Sequence, residues 1–339
     1  MSRLLWTFDA GAMLGSSPAL GPDGVCFVGS RAGRLHAVST DGTQRWSIDT
    51  GGPIEAGPSV HPAGLVLVGS YDGSLYAVGL DGVLAWKHDA GHPVMTTPCI
   101  DAEGAIWVGD DGGVLWQLSP QGEVIQRLPV ADLIASSPVV AAGTVLVSDR
   151  DLVGADGSRV ALEVDTVVAP AAVGLDGTVF LGSWSGDLLA VRDGAVAWRR
   201  LVGAQVYAGC SVGADGRVLV TTRGGHVKAF SATGEPLWSQ VLPNGVYGTP
   251  AIAQDGLCFV GCNDGRLRAL SVETGETIWK ERCGRDLRSS PLLTPEGRVL
   301  VSCWDYKLYC FDGGAGGPAD GAPWAQFHGG PSRLGRVSG

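Results

Sequence analysis

Between residues 57 and 91 the chain reads Gly57-Pro58-Ser59-Val60, Leu65-Val66-Leu67-Val68-Gly69-Ser70, Tyr71-Asp72-Gly73, Ser74-Leu75-Tyr76-Ala77-Val78, Asp81-Gly82 and Leu84-Ala85-Trp86. Short breaks at Ala63-Gly64, Asp72-Gly73 and Asp81-Gly82 separate the apolar runs. Glycine adopts positive φ at little cost, so each break favours a two-residue hairpin turn. Three hairpins connect four antiparallel strands. A unit of this kind, repeated at a period of about 40 residues, is typical of a β-propeller blade.

The unit occurs eight times and fills almost all of the 339 residues. A chain of this length could hold two domains, but continuous repetition favours one closed ring. The 53 glycines and the 45% hydrophobic residues fit many tight turns between apolar strands and exclude a disordered chain. We therefore predict an all-β protein: an eight-bladed β-propeller of four-stranded antiparallel blades over residues 1–312. The first strands open at Pro18, Pro58, Pro98, Pro138, Pro170, Cys210, Pro250 and Pro291.

The charge of the chain disfavours two classes of partner. Lys and Arg number 24 against 34 Asp and Glu, which gives a formal charge of −10. Basic residues form no run, so we expect neither nucleic-acid nor membrane binding. The apolar stretch after Met1 is too short for a secretory or membrane-spanning segment, which predicts a cytoplasmic location. Several of the eight cysteines fall inside strands, so we interpret them as reduced structural thiols.

A second periodic signal is a tryptophan twelve residues before the opening proline. Six units have it, whereas Gln126 and Ala161 stand in its place before Pro138 and Pro170, so blades three and four are the irregular ones. A tryptophan at such a site buries a large area whatever the protein does, and we interpret these residues as structural. They are Trp6, Trp46, Trp86, Trp198, Trp238 and Trp279.

Short motifs around these positions resemble the pyrroloquinoline-quinone-type propeller repeat over almost the whole chain. They are Asp-Gly-x-x-x-Trp at 41–46 and 81–86, Thr-Gly-x-x-x-Trp at 274–279, and Ser-Ser-Pro at 16–18, 136–138 and 289–291. The resemblance implies that each tryptophan docks from an outermost strand onto the neighbouring blade. Quinone dehydrogenases of this kind carry adjacent cysteines and calcium-binding carboxylates. No two cysteines are adjacent here, so we expect no quinone and no other cofactor; shorter relatives act as binding or assembly modules.

The two termini are expected to complete the ring. The eighth unit has no fourth strand after Asp312-Gly313, and the segment Leu4–Phe8 has the pattern of the missing strand. Pairing it there would remove an exposed sheet edge. Residues 313–339 form a Gly/Pro-rich linker followed by a segment with Trp324 and Phe327, which we expect to pack across the closure.

The ends of the blades differ in sequence. First and third turns are almost uniform, with Asp-Gly at most positions, as expected where only turn geometry matters. The residue before the second turn changes in every blade: Arg31, Tyr71, Asp111, Arg150, Trp184, Arg223, Asn263 and Trp304. The third residue before each opening position varies as much: Gly15, Glu55, Met95, Ala135, Val167, Tyr207, Tyr247 and Arg288. In the repeat family the strand that carries it lines the central channel.

Four arginines at one channel mouth of an acidic protein predict a binding site, because clustered guanidinium and aromatic groups suit carboxylate, phosphate or planar ligands. The hypothesis is a binding module for a small anionic or aromatic ligand or a peptide or protein partner. We also expect Asp149-Arg150-Asp151 in the shortened unit to leave a notch in the rim. The predicted ligand-binding residues are Arg31, Tyr71, Arg150, Trp184, Arg223, Arg288 and Trp304.

Three alternatives remain open at this point. Bulky side chains could merely fill a wide channel. The same pocket could belong to a cofactor-independent enzyme, with Glu55, Asp111, Tyr207 and Tyr247 as acid/base candidates. The ring could also be a pure protein-interaction scaffold, since fold does not fix function. The six scattered histidines predict no metal site, and Cys262 and Cys303, which share a register in adjacent blades, are either reactive thiols or buried structural ones.

Overall fold

The computed structural model describes residues 2–141, 143–314 and 316–337. These residues form eight four-stranded antiparallel sheets arranged as the blades of a closed ring, which confirms the predicted all-β propeller. Within these ranges there is no α-helix, and hence no helix long and apolar enough to cross a membrane.

The strands follow one another from the channel outwards in each of the first four blades. Blade one contains β2 (Ala19–Leu20), β3 (Cys26–Gly29), β4 (Arg34–Val38) and β5 (Gln44–Asp49). Blade two contains β6 (Ser59–His61), β7 (Leu65–Gly69), β8 (Ser74–Gly79) and β9 (Leu84–Asp89). Blade three contains β10 (Cys99–Ile100), β11 (Ile106–Gly109), β12 (Val114–Leu118) and β13 (Val124–Pro129). Blade four contains β14 (Val139–Ala141), β15 (Thr144–Ser148), β16 (Asp151–Gly154) and β17 (Arg159–Ala161).

The remaining blades repeat this order, and the last one borrows a strand from the N-terminus. Blade five contains β18 (Ala172–Val173), β19 (Val179–Gly182), β20 (Asp187–Arg192) and β21 (Ala195–Leu201). Blade six contains β22 (Ser211–Val212), β23 (Val218–Thr221), β24 (His226–Phe230) and β25 (Pro236–Val241). Blade seven contains β26 (Ala251–Ile252), β27 (Leu257–Cys262), β28 (Arg266–Ser271) and β29 (Thr277–Arg282). Blade eight contains β30 (Leu292–Leu293), β31 (Arg298–Ser302), β32 (Lys307–Asp312) and β1 (Leu4–Asp9).

The ring closes as the sequence predicted. Strand β1 pairs antiparallel with β32, with Trp6 opposite Cys310 and Phe8 opposite Leu308. It takes the outermost place, so the N-terminal strand completes blade eight and covers an edge that would otherwise be free.

The core lies between blades rather than inside one sheet. The second and third strands of a blade are almost wholly buried, whereas the fourth, outermost strands alternate exposed and partly buried residues. Clusters of buried Val, Leu, Ile and Phe side chains accordingly join neighbouring blades around the ring. Each blade therefore depends on its neighbours for burial of its apolar faces.

The outer tryptophans fasten each blade to the next one. The indole N–H of Trp46 donates to the carbonyl of Leu80 at 2.9 Å, and that of Trp86 donates to the carbonyl of Pro120 at 2.9 Å. The acceptor lies in the third turn of the following blade. The indole of Trp86 also lies against Gly122, where a Cβ atom would approach its Cδ2 to 2.6 Å. The third-turn glycine is therefore needed both for its positive φ and for the neighbouring indole.

Blade four offers a matched control for this double requirement. Gly122 and Gly157 occupy the same turn position with the same φ of 87°. Gly157 faces blade three, which has Gln126 in place of the tryptophan, and an added Cβ there would have nothing within 4 Å. We expect Gly157→Ala to cost about 1 kcal/mol for backbone strain alone. Gly122→Ala should cost about 2 to 3 kcal/mol, because it also displaces the indole. Urea unfolding of both variants checks this, and equal losses would contradict the role given to the indole.

The C-terminal segment lies across the channel and reaches much of the ring. It contacts the closing blade through Gln326, whose Oε1 accepts from the Leu293 amide at 2.9 Å. The sequence predicted this contact with the blade that closes the ring. Ala315, Ser338 and Gly339 of the predicted segment lie outside the described residues. Backbone carbonyls of the segment also accept from one inner-strand amide in each of six further blades, namely Leu20, Val60, Ile100, Val140, Val212 and Ile252.

Candidate functional site

The channel mouth opposite the C-terminal segment opens into a cavity of about 660 Å³. Two sequence positions supply its upper wall, the residue before the second turn and the residue at the start of the inner strand, as the blade topology predicted. Of the residues proposed from sequence, eight line this cavity together: Arg31, Glu55, Tyr71, Tyr207, Arg223, Tyr247, Arg288 and Trp304.

Arg288 is held in place by two aromatic rings. Its guanidinium carbon lies 3.8 Å from the ring centroid of Trp304 and 4.7 Å from that of Tyr247. Asp286 is its closest acidic neighbour, with 3.6 Å between the charged atoms. The Nε atom of Arg288 is buried and has no hydrogen-bond partner among the residues described. A guanidinium stacked on aromatic faces keeps its charge and leaves its edge available to an anion.

Arg223 lies on the other side of Tyr247. Its Nε donates to the Tyr247 hydroxyl at 3.1 Å, and its guanidinium carbon lies 5.0 Å from the Trp184 ring centroid. Tyr207 completes this wall, with its ring centroid 5.5 Å from Tyr247 and 6.3 Å from Trp184 in edge-to-face contacts. Trp184 does not line the cavity itself but supports Arg223 and Tyr207 from behind. Among the described residues Arg223 has no acidic partner within 4 Å.

Arg31, by contrast, is already paired. Its Nε lies 2.7 Å from Oε1 of Glu55, and the Tyr71 hydroxyl donates to the other oxygen of that carboxylate at 3.1 Å. Its guanidinium carbon also lies 5.8 Å from the Trp304 ring centroid. Both oxygens of the Glu55 carboxylate are therefore already engaged by donors of the protein itself.

Two predicted site residues lie elsewhere. The exposed side chain of Arg150 lines a separate cavity of about 390 Å³ beside blade three, with Asp149, Asp151 and the chain around Asp132. This cavity is the notch expected from the shortened unit. Asp111 is half-buried between blades two and three and is not among the residues that line the central cavity.

The register assigned to blade five was wrong by one residue. Val167 is fully buried, and its amide donates to the carbonyl of Asp149. The equivalent bond one blade further on runs from the Val206 amide to the carbonyl of Ser183, so Val167 is equivalent to Val206. Val168 therefore takes the channel-facing position, and Ala171 rather than Pro170 is equivalent to the opening proline. The shortened fourth unit shifted the count, and Pro170, two residues after Val168, was mistaken for the repeat marker.

The acid/base candidates do not form a catalytic pair. Burial, reinforced by Glu55, raises the pKa of Tyr71 to about 12 and also raises the pKa of Tyr207. Both phenols are therefore neutral donors at physiological pH, not bases. Burial and the nearby Asp110 raise the pKa of Asp111, opposed by His92. Together with the occupied Glu55, these groups favour binding over proton transfer at this mouth.

Asp111 gives a pH-dependent prediction. Its Oδ1 is buried without a partner among the described residues, and its folded pKa lies above the unfolded one. Ionisation therefore costs more in the folded state, so the wild type loses stability as pH rises through the raised pKa. Asp111→Asn, which stays neutral, should raise the free energy of unfolding at pH 7, and the gain should shrink as pH falls to about 4. Denaturant melts at both pH values decide; a loss of stability at neutral pH would contradict the assignment.

The cysteines have the character of core residues. All eight are free and buried. Burial raises the pKa of Cys262 and raises that of Cys303 to about 12, and their Sγ atoms donate to the carbonyls of Asn244 and Arg285. Neither thiol is activated as a nucleophile. Within the part of the chain that the structure covers, His, Cys, Asp and Glu side chains form no group of three placed to hold a metal.

Sequence reasoning missed the residues at the base of the cavity. Phe327 reaches in from the C-terminal segment and forms the floor, while Ser17, Thr97, Ser137 and Ser290 line the wall just above it. The Ser-Ser-Pro motif was the available signal. Its first hydroxyl bonds within its own blade, as where the Gly29 amide donates to Ser16 Oγ at 2.7 Å. Its second hydroxyl accepts an amide from the preceding blade, as where the Ser290 amide donates to Ser17 Oγ. The motif thus has a structural reason, and its second hydroxyl also faces the channel.

A family model described as outer membrane protein assembly factor BamB matches residues 2–151 and 185–338. The unmatched stretch between them contains the outer half of the shortened blade four and the inner half of blade five. A search among curated proteins finds no significant match.

Several solved structures share the fold. Sqt1 of Saccharomyces cerevisiae is 13% identical over 92% of this chain and 99% of that one, with a TM-score of 0.80. The computationally designed Ika8 protein is 13% identical over 91% and 99%, with a TM-score of 0.78. BamB from Moraxella catarrhalis is 18% identical over 91% and 87%, with a TM-score of 0.54. At these identities the likeness concerns the fold alone. Since the family model covers well over half of the residues and the repeat motifs agree with it, the chain belongs to the BamB-like family of pyrroloquinoline-quinone-type repeat propellers.

Proposed function

We propose that this BamB-like propeller scaffold is a binding module whose working site is the cavity at the channel mouth. Its ligand is a small anionic or aromatic molecule or the end of a peptide. The cavity is of a size usual for ligand sites and combines aromatic walls with a few convergent polar groups.

One observation carries the proposal: Arg288 is fixed between Trp304 and Tyr247 and faces a cavity, with a buried donor left unpartnered among the described residues. Side chains that only fill a channel need no charge, and burying part of a guanidinium without a bound acceptor costs free energy. With Arg223 beside it, the wall presents two guanidinium groups to whatever enters. An incoming carboxylate or phosphate would supply the missing acceptor.

The test is a thermal-shift screen of carboxylates, phosphates and aromatic acids on the wild type and on Arg223→Ala combined with Arg288→Ala. We expect hits that raise the wild-type Tm and leave the double variant unmoved. Arg192→Ala is the matched control, because this arginine at the end of β20 is exposed, pairs with Asp176 and lies at the opposite end of its blade. If the ligands still raise the Tm of the double variant, the cavity is not their binding site. If the protein converts one of these ligands to a product, the result instead supports the alternative of a cofactor-independent enzyme.

A protein partner on the outer surface is the second candidate, and one feature of blade three favours it. Strand β13 has Gln126 where six of the blades carry a tryptophan, and Val124 and Ile125 beside it are about half exposed. The family description, an assembly factor, also fits protein binding. Val124→Lys combined with Ile125→Lys should abolish pull-down of such a partner while leaving ligand shifts intact. Unchanged pull-down would exclude this strand.

We further propose that the protein works in the cytoplasm. All eight cysteines are free thiols, and such a number of unpaired cysteines suits a reducing compartment. Fractionation of cells that express the native protein checks this location. Recovery from an oxidising compartment would overturn it.

A further inference from the structure

The cavity has two levels with different chemistry. The upper level contains Tyr207, Tyr247 and Arg288, and the lower level lies two residues further along the inner segments of the blades. Alternate residues of an extended chain face the same side about 7 Å apart, so the lower level is deeper by about that distance. It carries four hydroxyl groups, from Ser17, Thr97, Ser137 and Ser290.

These four hydroxyls are arranged as donors toward the cavity. Each oxygen accepts a backbone amide of the adjacent blade at 2.9 to 3.0 Å: Ser290 to Ser17, Gly57 to Thr97, Thr97 to Ser137, and Thr249 to Ser290. In the described part of the chain none of the four donates its own proton to a protein acceptor. With a lone pair engaged behind them, their O–H groups are free to point into the cavity.

A buried cation lies directly beneath this level. Arg333 is fully buried and donates to the carbonyl oxygens of Pro18 at 3.0 Å, Phe327 and Pro291. Its guanidinium carbon lies 5.2 Å from the Phe327 ring centroid. Burial lowers its pKa to about 9, so it remains charged at neutral pH. No carboxylate of the described residues pairs with it, and its field makes the floor of the cavity attractive to an anion.

We propose that the cavity takes a planar aromatic molecule with acidic groups at its two ends, one held at the mouth by Arg223 and Arg288 and the other by the four hydroxyls. This inference rests on the proposed function and adds the substrate class and its orientation. The rings of Tyr207 and Tyr247 meet edge to face in the upper level, 5.5 Å apart, and form an aromatic wall that suits a flat ring. A peptide end carries a single terminal carboxylate and would leave one level without an acceptor.

Three simple acids test the arrangement by isothermal titration calorimetry: benzoate, phthalate and terephthalate. Phthalate and terephthalate have the same charge and composition, but only terephthalate places its carboxylates at opposite ends of the ring. We expect terephthalate to bind at least about tenfold more tightly than either other acid, because only it reaches both levels. Equal affinities for phthalate and terephthalate would overturn the inference.

Two neighbouring serines provide a matched pair of variants. Ser137→Ala removes a hydroxyl from the lower level, whereas Ser136→Ala removes a buried hydroxyl that bonds Ser148 and does not line the cavity. We expect Ser137→Ala to weaken terephthalate about five- to tenfold and to leave benzoate unchanged, and Ser136→Ala to change neither. If phthalate and terephthalate bind with equal affinity and Arg288→Ala abolishes the binding of both, the two-level inference fails while the proposed binding function stands. If terephthalate does not bind at all, the inference fails, and the wider ligand screen judges the function separately.

Discussion

Trp324→Ala is expected to lower the free energy of unfolding by about 4 kcal/mol, the largest effect of any single substitution considered. Trp324 is only 1% exposed and packs among the apolar residues of blades five and six. Its backbone carbonyl accepts from the Val212 amide at 2.8 Å, which anchors the C-terminal segment on the inner strand β22. Truncation to alanine would leave a large cavity at the point where the segment crosses the channel.

Trp304→Ala is the control at the other end of the channel. This tryptophan is partly exposed and stacks on Arg288 rather than filling the core. We expect its loss to cost within about 1 kcal/mol. Chemical denaturation of both variants separates the two ends. If Trp324→Ala melts like the wild type, the C-terminal segment contributes little to the ring and its contacts are incidental.

The second large effect concerns the outer tryptophans. Trp86→Ala and Trp238→Ala should each cost about 3 kcal/mol, because each opens a gap between blades and removes the hydrogen bond to the third turn of the next blade. Arg223→Ala and Arg288→Ala should change stability by no more than about 1 kcal/mol, since both side chains are partly exposed at the mouth. Their removal could even stabilise the ring by relieving clustered positive charge.

Denaturant melts of these four variants decide what the arginines are for. If the arginine variants lose as much stability as the tryptophan variants, the arginines are structural plugs of the channel. The ligand-binding assignment of Arg223 and Arg288 would then have to be dropped.

The sequence alone determined the ring. Turn dipeptides, the repeat length and the spacing of Trp86 and its equivalents are local properties that recur, so each copy supports the others. The missing fourth strand of the eighth unit then assigned β1 to blade eight, because every other unit supplied its own. The same register arguments collected Arg31, Arg223, Arg288 and the aromatic residues at one mouth, since positions equivalent in sequence are equivalent around the axis.

Only the tertiary structure showed which residues line the cavity, which partners the arginines have and where the C-terminal segment runs. Arg150 and Asp111 share the register of the mouth residues yet do not line the central cavity: Arg150 lines the separate cavity at the shortened blade four, and Asp111 is half-buried between blades two and three. The partners of each arginine also depend on side-chain packing: Arg31 is neutralised by Glu55, whereas Arg288 is stacked on rings. The C-terminal segment follows no repeat at all. Its route across the channel, which brings Phe327 and Arg333 beneath the cavity, follows from inner-strand amides that only the closed ring brings together.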